Sequence, residues 1–247
     1  MYSGYGEFLA RTRVKRNPEF KEVIYDNEHW KLLRELRLEA IRVMKALVRR
    51  RIEAWLHGSV ARGDVRIKSD VDIVIPRRLP AYMVELALEE TGIRPYAKCL
   101  VAATPTSTLK AYIILDEEER VTVSFPIVDY KPREIEFYKY GGVLTYQELL
   151  EDKRVPGVNK NLTLIIPTTL GHLELPVIGY EDYVARVLGV SVDTVRERVD
   201  VLTRRDEVGR TGIFAKIMLA PTESFEEGLE RLFKERPLLR KVYSGLM

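Results

Sequence analysis

The first long periodic segment runs from residue 27 to 51. There Trp30, Leu33, Leu36, Ala40, Met44 and Leu47 recur at helical spacing and predict one helix with a single apolar stripe. Such a stripe packs on a sheet, and the next segments supply one. "IEAWLH" (52–57) predicts a strand ending at Gly58-Ser59, and "DVDIVI" (70–75) a second strand stopped by Pro76, since proline cannot donate to a ladder. Residues 80–91 return to the helical period and close at Gly92. "YAKCLVAA" follows as a strand, then "AYIIL" and "VTVSFPIVDY" flank the charged turn "DEEER" as a hairpin. Residues 132–152 turn helical again around a Gly141-Gly142 break. From about 155 the pattern changes to short strands punctuated by proline and glycine, "LTLIIPTTLGHLELPVIG", and then to a helical tail from Glu181. The expected fold class is α+β, with a first domain over 1–155 and a smaller C-terminal module over 156–247.

Composition narrows the functional classes. A chain of 247 residues with 46% apolar positions has enough material for a core of its own. Cys99 is the single cysteine, which excludes a disulfide framework and a cysteine-based zinc site; three histidines argue against a histidine-rich metal centre. With no run of about eighteen apolar residues and no apolar signal region in "MYSGYGEFLARTRVKRNPEF", a soluble cytoplasmic protein without a membrane partner is expected. One glutamine, four asparagines and dense Arg and Glu match the composition of proteins from hot environments. The net charge of +3 is small, but residues 1–52 hold thirteen Lys/Arg against seven Asp/Glu, including Arg11, Arg13, Lys15, Arg16 and Arg49 to Arg51. That bias fits either contact with a polyanion or a solvated helix face.

The chemistry concentrates in "HGSVARGDVRIKSDVDIVI", residues 57–75. Successive side chains alternate across a strand, so Asp70 and Asp72 share a face about 6 to 7 Å apart. Two ionised carboxylates beside an apolar sheet are costly unless a cation neutralises them, and Mg²⁺ (or Mn²⁺) suits one or two carboxylates completed by substrate phosphates. Gly58 lets backbone approach a ligand, and Ser59 offers a hydroxyl and backbone N–H groups to phosphate. Gly-Ser, ten intervening residues and then Asp-apolar-Asp-apolar resemble the signature of the DNA polymerase β-like nucleotidyltransferase superfamily, in the wording of its small standalone prokaryotic and archaeal members. The resemblance implies a mixed sheet with packed helices and support over roughly 27–130. It also implies an NTP bound through Gly58 and Ser59 and a metal held by Asp70 and Asp72. Arg62 and Lys68 either add charge near phosphate or are ordinary solvated residues; His57 reads as a packing residue ahead of a catalytic one.

The family usually adds a third carboxylate from a later strand, which acts on the acceptor as metal ligand or base. Aligning Val121 to Phe125 with that strand puts Ser124 where the aspartate is expected. Asp129 is the leading substitute, with Pro126 as a bulge that re-aims it; Glu134, Glu136 or no third ligand are the alternatives. Further on, "EDYVARVLGVSVDTVRERVDVL" (181–202) resembles helix-turn-helix proteins, turning at Gly189 with Ser191 as N-cap, and "RRDEVGRTGIFAKIML" (204–219) reads as a winged-helix-like wing. Residues 181–247 balance twelve basic against twelve acidic side chains, so the module is either a nucleic-acid contact or structural. "GRTG" (209–212) is a phosphate loop or a plain turn. His29, His172 and Cys99 read as packing or surface residues.

Two functional classes follow. One is a metal-dependent nucleotidyltransferase that moves an NMP from an NTP to an acceptor hydroxyl on RNA, DNA, a protein or a small molecule, with release of pyrophosphate. The other is a non-catalytic regulator or antitoxin-like binding protein on the same fold. The oligomeric state is left open by the sequence.

Overall fold

The computed structural model describes residue 14, residues 20–209 and residues 212–243. The basic positions Arg11, Arg13, Lys15 and Arg16, and the middle of "GRTG", lie outside the described residues.

In chain order the elements are β1 (Lys21–Ile24), α1 (Asn27–Arg49), β2 (Trp55–His57), α2 (Ser59–Arg62), β3 (Val71–Val74), α3 (Ala81–Glu89), β4 (Ala97–Ala102), β5 (Lys110–Ile114), β6 (Val121–Pro126) and α4 (Pro132–Gly141). There follow β7 (Val143–Thr145), α5 (Tyr146–Leu150), β8 (Gly157–Val158), β9 (Thr163–Thr168), β10 (Gly171–Pro176), α6 (Glu181–Leu188), α7 (Val192–Val208), β11 (Ala215–Met218), α8 (Phe225–Glu235) and α9 (Pro237–Tyr243). A seven-stranded sheet takes the order β11-β4-β5-β6-β3-β2-β7, and a four-stranded sheet the order β1-β10-β9-β8. β3 and β6 run parallel, with Asp72 beside Thr122 and Val74 beside Ser124; the other pairings in both sheets are antiparallel. This is the α+β, mixed-sheet class read from the sequence.

The large sheet has two unlike faces. Leu56, Ile73, Val123, Phe125, Ile113, Ala111 and Leu100 alternate onto one of them, and Ala40, Val43, Met44 and Leu47 of α1 with Val84 and Leu88 of α3 close over it as the main core. α1 starts where Asp26 accepts the His29 N–H, an ordinary N-cap. Arg37 sits within its buried stripe and donates to the carbonyls of Val60 (3.2 Å), Ala61 (3.3 Å) and Lys153 (2.8 Å), so the helix is tied to α2 and its neighbourhood. A second, smaller core joins Leu162, Leu164 and Val177 to Val184, Ala185 and Val195, with Tyr140 of α4 reaching into it.

Three sequence expectations need correction. The helical stretch 132–152 is broken by β7, because the Gly142 backbone (φ 88°) turns the chain out of α4 and lets Val143–Thr145 pair with β2. The expected wing over 204–219 is not a wing: β11 adds to the main sheet, with Ala215 opposite Ala102 and Met218 opposite Cys99. Edge pairing there continues a sheet already in place, which a free-standing hairpin could not match. Phe225, Leu232, Phe233, Leu239 and Tyr243 then pack into the main core, so the tail returns to the first part of the chain and the module drawn over 156–247 is not a separate body over its whole length. The turn at Gly189 and the N-cap at Ser191 are as read: α6 ends at Gly189 in the left-handed region, and the Ser191 side chain caps α7 by accepting from Thr194.

Among the described residues no helix is long and apolar enough to cross a membrane.

Candidate active site

The second face of the large sheet is polar. Strand parity puts Asp72, Thr122 and Ser124, His57, Tyr112 and Lys110 on it, opposite the apolar positions between them. Asp70 stands one step before β3, exposed, and Asp72 lies deeper. Burial raises the Asp72 carboxyl above the usual carboxylate range, and the Asp70 charge raises it further, while the Thr122 hydroxyl and the charges of Lys160 and Lys110 pull it back. Thr122 Oγ1 donates to Asp72 Oδ1 at 3.2 Å.

Beside the aspartates the chain turns sharply. Gly58 has φ 85° and ψ −143°, a conformation close to glycine-only, and the space over its Cα is open. Its N–H is held by the Gly142 carbonyl at 3.0 Å, which anchors the turn to the start of β7. Ser59 Oγ donates to Ser69 Oγ at 3.1 Å, and Ser69 Oγ accepts the Arg66 N–H at 2.8 Å, so the turn and the approach to β3 are linked by two serines. Arg120 braces the same approach, donating to the carbonyls of Ile67 (3.0 Å) and Ser69 (3.3 Å).

The structure brings Gly58, Ser59, Asp70 and Asp72 together and separates the others. Arg62 is 5% exposed, and its guanidinium is taken up by Asp64 (2.9 and 3.0 Å) and the Gly141 carbonyl (2.6 Å). Its role is to hold the turn against α4. Lys68 is exposed in the loop before Asp70. Asp129 is exposed beyond the end of β6, seven residues past Thr122, near the end of the sheet opposite Asp70; no bulge returns it to Asp72. Ser124 is buried one pair deeper than Asp72, beside Val74, so the β6 residue facing the aspartates is Thr122. The alignment slips by two residues because parity alone cannot distinguish them. Glu134 and Glu136 serve other ends: Glu134 accepts from Thr108 and Lys131 as the α4 cap, and Glu136 accepts from Ser191 and Thr194 at the α7 N-terminus.

His57 lies on β2 opposite Asp72, between the Phe137 and Tyr138 rings, with Nε2 against Gly141. Burial, helped by the Arg62 and Lys110 charges, lowers it to about 3, so it is a neutral packing residue. A Cβ at Gly141 would collide with that ring, which explains the glycine. Cys99 is buried in the sheet and pushed up to about 11 by burial, an unreactive packing thiol. His29 stacks on Tyr25 and bonds the Gly63 carbonyl at 2.7 Å, and His172 Nδ1 meets the Tyr25 hydroxyl at 2.7 Å.

Sequence reading passed over Lys110 and Lys160, whose charges act on Asp72. Lys110 opens the apolar strand β5, and a charge inside "LKAYIIL" was the signal available. Its ammonium donates to Tyr138 Oη at 3.0 Å, Tyr138 Oη meets Tyr130 Oη at 3.0 Å, and the Tyr112 hydroxyl also bonds it. The C-terminal module approaches the same face: Arg198 of α7 lies 4.8 Å over the Phe137 ring, and the first turn of α7 is held to α4 by Glu136 and Arg133. The leading turn of the second helix, where a helix-turn-helix protein would read bases, is thus engaged by the protein itself.

A family model for the nucleotidyltransferase domain matches residues 38–140, the segment from mid-α1 to the end of α4 that contains both aspartates, the Gly-Ser turn and β6. Residues 38–140 are a nucleotidyltransferase domain. No curated protein and no solved structure matches the chain. The family match supports general nucleotidyl transfer and a nucleotide as substrate. The residues fit a divalent cation in one respect: Asp70 and Asp72 are like charges on one face, and the burial of Asp72 is unfavourable until a cation offsets it. Among the described residues no group of three His, Cys, Asp or Glu side chains gathers there, so any such ion would be completed by substrate oxygens and water.

Proposed function

We propose that this protein is a Mg²⁺-dependent nucleotidyltransferase that transfers an NMP from an NTP to an acceptor oxygen and releases pyrophosphate. The observation that carries the reading is the convergence of Gly58, Ser59, Asp70 and Asp72 on the polar face of the sheet, inside the matched domain. Asp70 and Asp72 would hold the cation, which when bound supplies positive charge to the triphosphate and to the leaving pyrophosphate. Gly58, with open space over its Cα, would keep the backbone beside the triphosphate clear of side chain, and the Ser59 hydroxyl would turn from Ser69 to a phosphate oxygen. Lys68, exposed just before Asp70, would add positive charge near the phosphates. The Thr122 hydrogen bond orients Asp72, and the Arg62–Asp64 pair with its bond to Gly141 keeps the turn rigid.

The competing reading is a nucleotide-binding regulator without turnover. It is favoured by Thr122, a hydroxyl at the β6 position where a carboxylate is expected. Incubating the protein with Mg²⁺, labelled NTPs and total RNA or lysate, beside Asp70→Ala and Asp72→Ala, separates the two. Transfer lost in both variants is the expected result. Transfer surviving both substitutions would sink the enzyme reading, and nucleotide binding without transfer would establish the regulator.

A further inference from the structure

Asp72 and Thr122 are direct neighbours in the parallel pairing of β3 with β6, on the polar face of the sheet. Whatever side chain stands at position 122 therefore shares the space around the Asp72 carboxylate. Here it is a hydroxyl, and it donates its proton to Asp72 Oδ1 at 3.2 Å. That bond engages the carboxylate oxygen on the β6 side. The next positions on that side supply no anionic ligand: Ile114, opposite Thr122 on β5, is buried, and Ser124, one pair deeper, directs its hydroxyl at the Ile73 carbonyl at 3.5 Å. On the β2 side Asp72 is paired with His57, whose Nε2 lies against Gly141. Among the described residues, the carboxylate oxygens open to a cation are thus those of the exposed Asp70 and Oδ2 of Asp72.

Metal chemistry turns this arrangement into a count. Mg²⁺ demands near-octahedral oxygen coordination and is commonly held by one or two carboxylates completed by substrate phosphates and water, so Asp70, Asp72 Oδ2 and a triphosphate suffice for one ion. Two-metal sites place a second ion about 3.5 to 4 Å from the first, so that one ion serves the attacking oxygen and the other the leaving oxygen. At that spacing the two ions share a ligand oxygen, and the second needs a further anionic ligand of its own. Asp72 Oδ1, the oxygen free of the first ion, already accepts from Thr122, and position 122 offers a neutral donor in place of a carboxylate. We propose that Thr122 sets the metal content of the site at a single Mg²⁺, held by Asp70 and Asp72 together with the triphosphate, and that a carboxylate at position 122 would admit a second ion. This deepens the nucleotidyltransferase reading and rests on it.

The test counts ions and needs no turnover. Mn²⁺ is titrated into the full chain with one equivalent of α,β-methylene-ATP, free Mn²⁺ is read from its electron paramagnetic resonance signal, and the analogue alone is the blank. The parent should hold one Mn²⁺ per complex, at least tenfold more tightly than the analogue alone. Two tightly bound ions in the parent overturn the proposal and leave the nucleotidyltransferase reading standing; no tightening over the analogue alone overturns both. Thr122→Asp should raise the count from one to two, with the bound signal broadened by coupling between neighbouring ions, whereas the neutral Thr122→Asn should stay at one. Should Thr122→Asp fail to fold, Thr122→Glu presents the carboxylate one methylene farther out and is read in the same way. A folded carboxylate variant that stays at one ion contradicts the role of Thr122.

Discussion

The two faces of the seven-stranded sheet are built from the same strands and opposite chemistry. Ile73, the next residue after Asp72 in sequence, is fully buried under α1 and α3, whereas its neighbour Asp72 faces a set of hydroxyls, lysines and a neutral histidine. One residue of register separates the group that holds the fold from the group proposed to do its chemistry. The apolar face stabilises by removing side chains from water. The polar face keeps Asp72 in a site that raises its carboxyl, and so it is expected to cost stability whenever no cation is bound.

Substitutions on the two faces should therefore part in opposite directions. The largest expected effect is on activity: Asp70→Ala or Asp72→Ala should lower label transfer by at least about a thousandfold, the loss of several kcal/mol of charge stabilisation. Ile73→Ala, on the other face, should lower thermal stability by about 2 to 5 kcal/mol while the remaining folded protein still binds Mg-NTP, as followed by thermal unfolding and nucleotide titration. An Ile73 variant that loses nucleotide affinity but not stability would erase the distinction between the faces.

The backbone comes next. Gly58→Ala forces a side chain into φ 85°, ψ −143°, and should cost about 1 to 3 kcal/mol, read in the same melts, together with weaker triphosphate binding. Removing the charge at Asp72 should act the other way. Asp72→Asn keeps an acceptor for Thr122 and relieves the buried charge, so its metal-free unfolding temperature should rise above that of the parent. Mg²⁺ should then stabilise the parent and leave the variant unmoved, by linkage of binding to folding.

The most local effect, read only on the acid side, is at His57. Its folded value of about 3 lies below the ordinary 6.5, so between those limits the unfolded chain binds the extra proton and stability falls as pH drops from about 6.5 toward 3. His57→Gln should flatten that acid limb in a pH series of unfolding midpoints. An unchanged slope would mean that other groups govern it.

How much of this was legible in the sequence follows the same division. Helical and strand periods placed α1, β2, β3, α3 and the β5–β6 hairpin close to their observed limits, because each buries one face and leaves its period in the chain. Gly58, Ser59, Asp70 and Asp72 were readable because their spacing is local. Other features depend on which strand lies beside which. Thr122 and not Ser124 faces Asp72 because β6 pairs with β3 in one register out of several, and Lys110 joins the site only through β5. Arg62 read as either a charge near phosphate or a solvated residue, and it is neither, because Asp64 two residues on and the distant Gly141 carbonyl hold it. β11 read as a wing because its partner, β4, lies more than a hundred residues earlier.

On the proposed reading, residues 58–72 build a metal–nucleotide site on the polar face. Calorimetric titration of the full chain with α,β-methylene-ATP, with and without Mg²⁺, beside Asp72→Asn, tests it most directly. Saturable binding by the parent only when Mg²⁺ is present, and no binding by the folded variant, is the expected result; equal binding by both proteins, or binding indifferent to Mg²⁺, would contradict a metal–nucleotide site there.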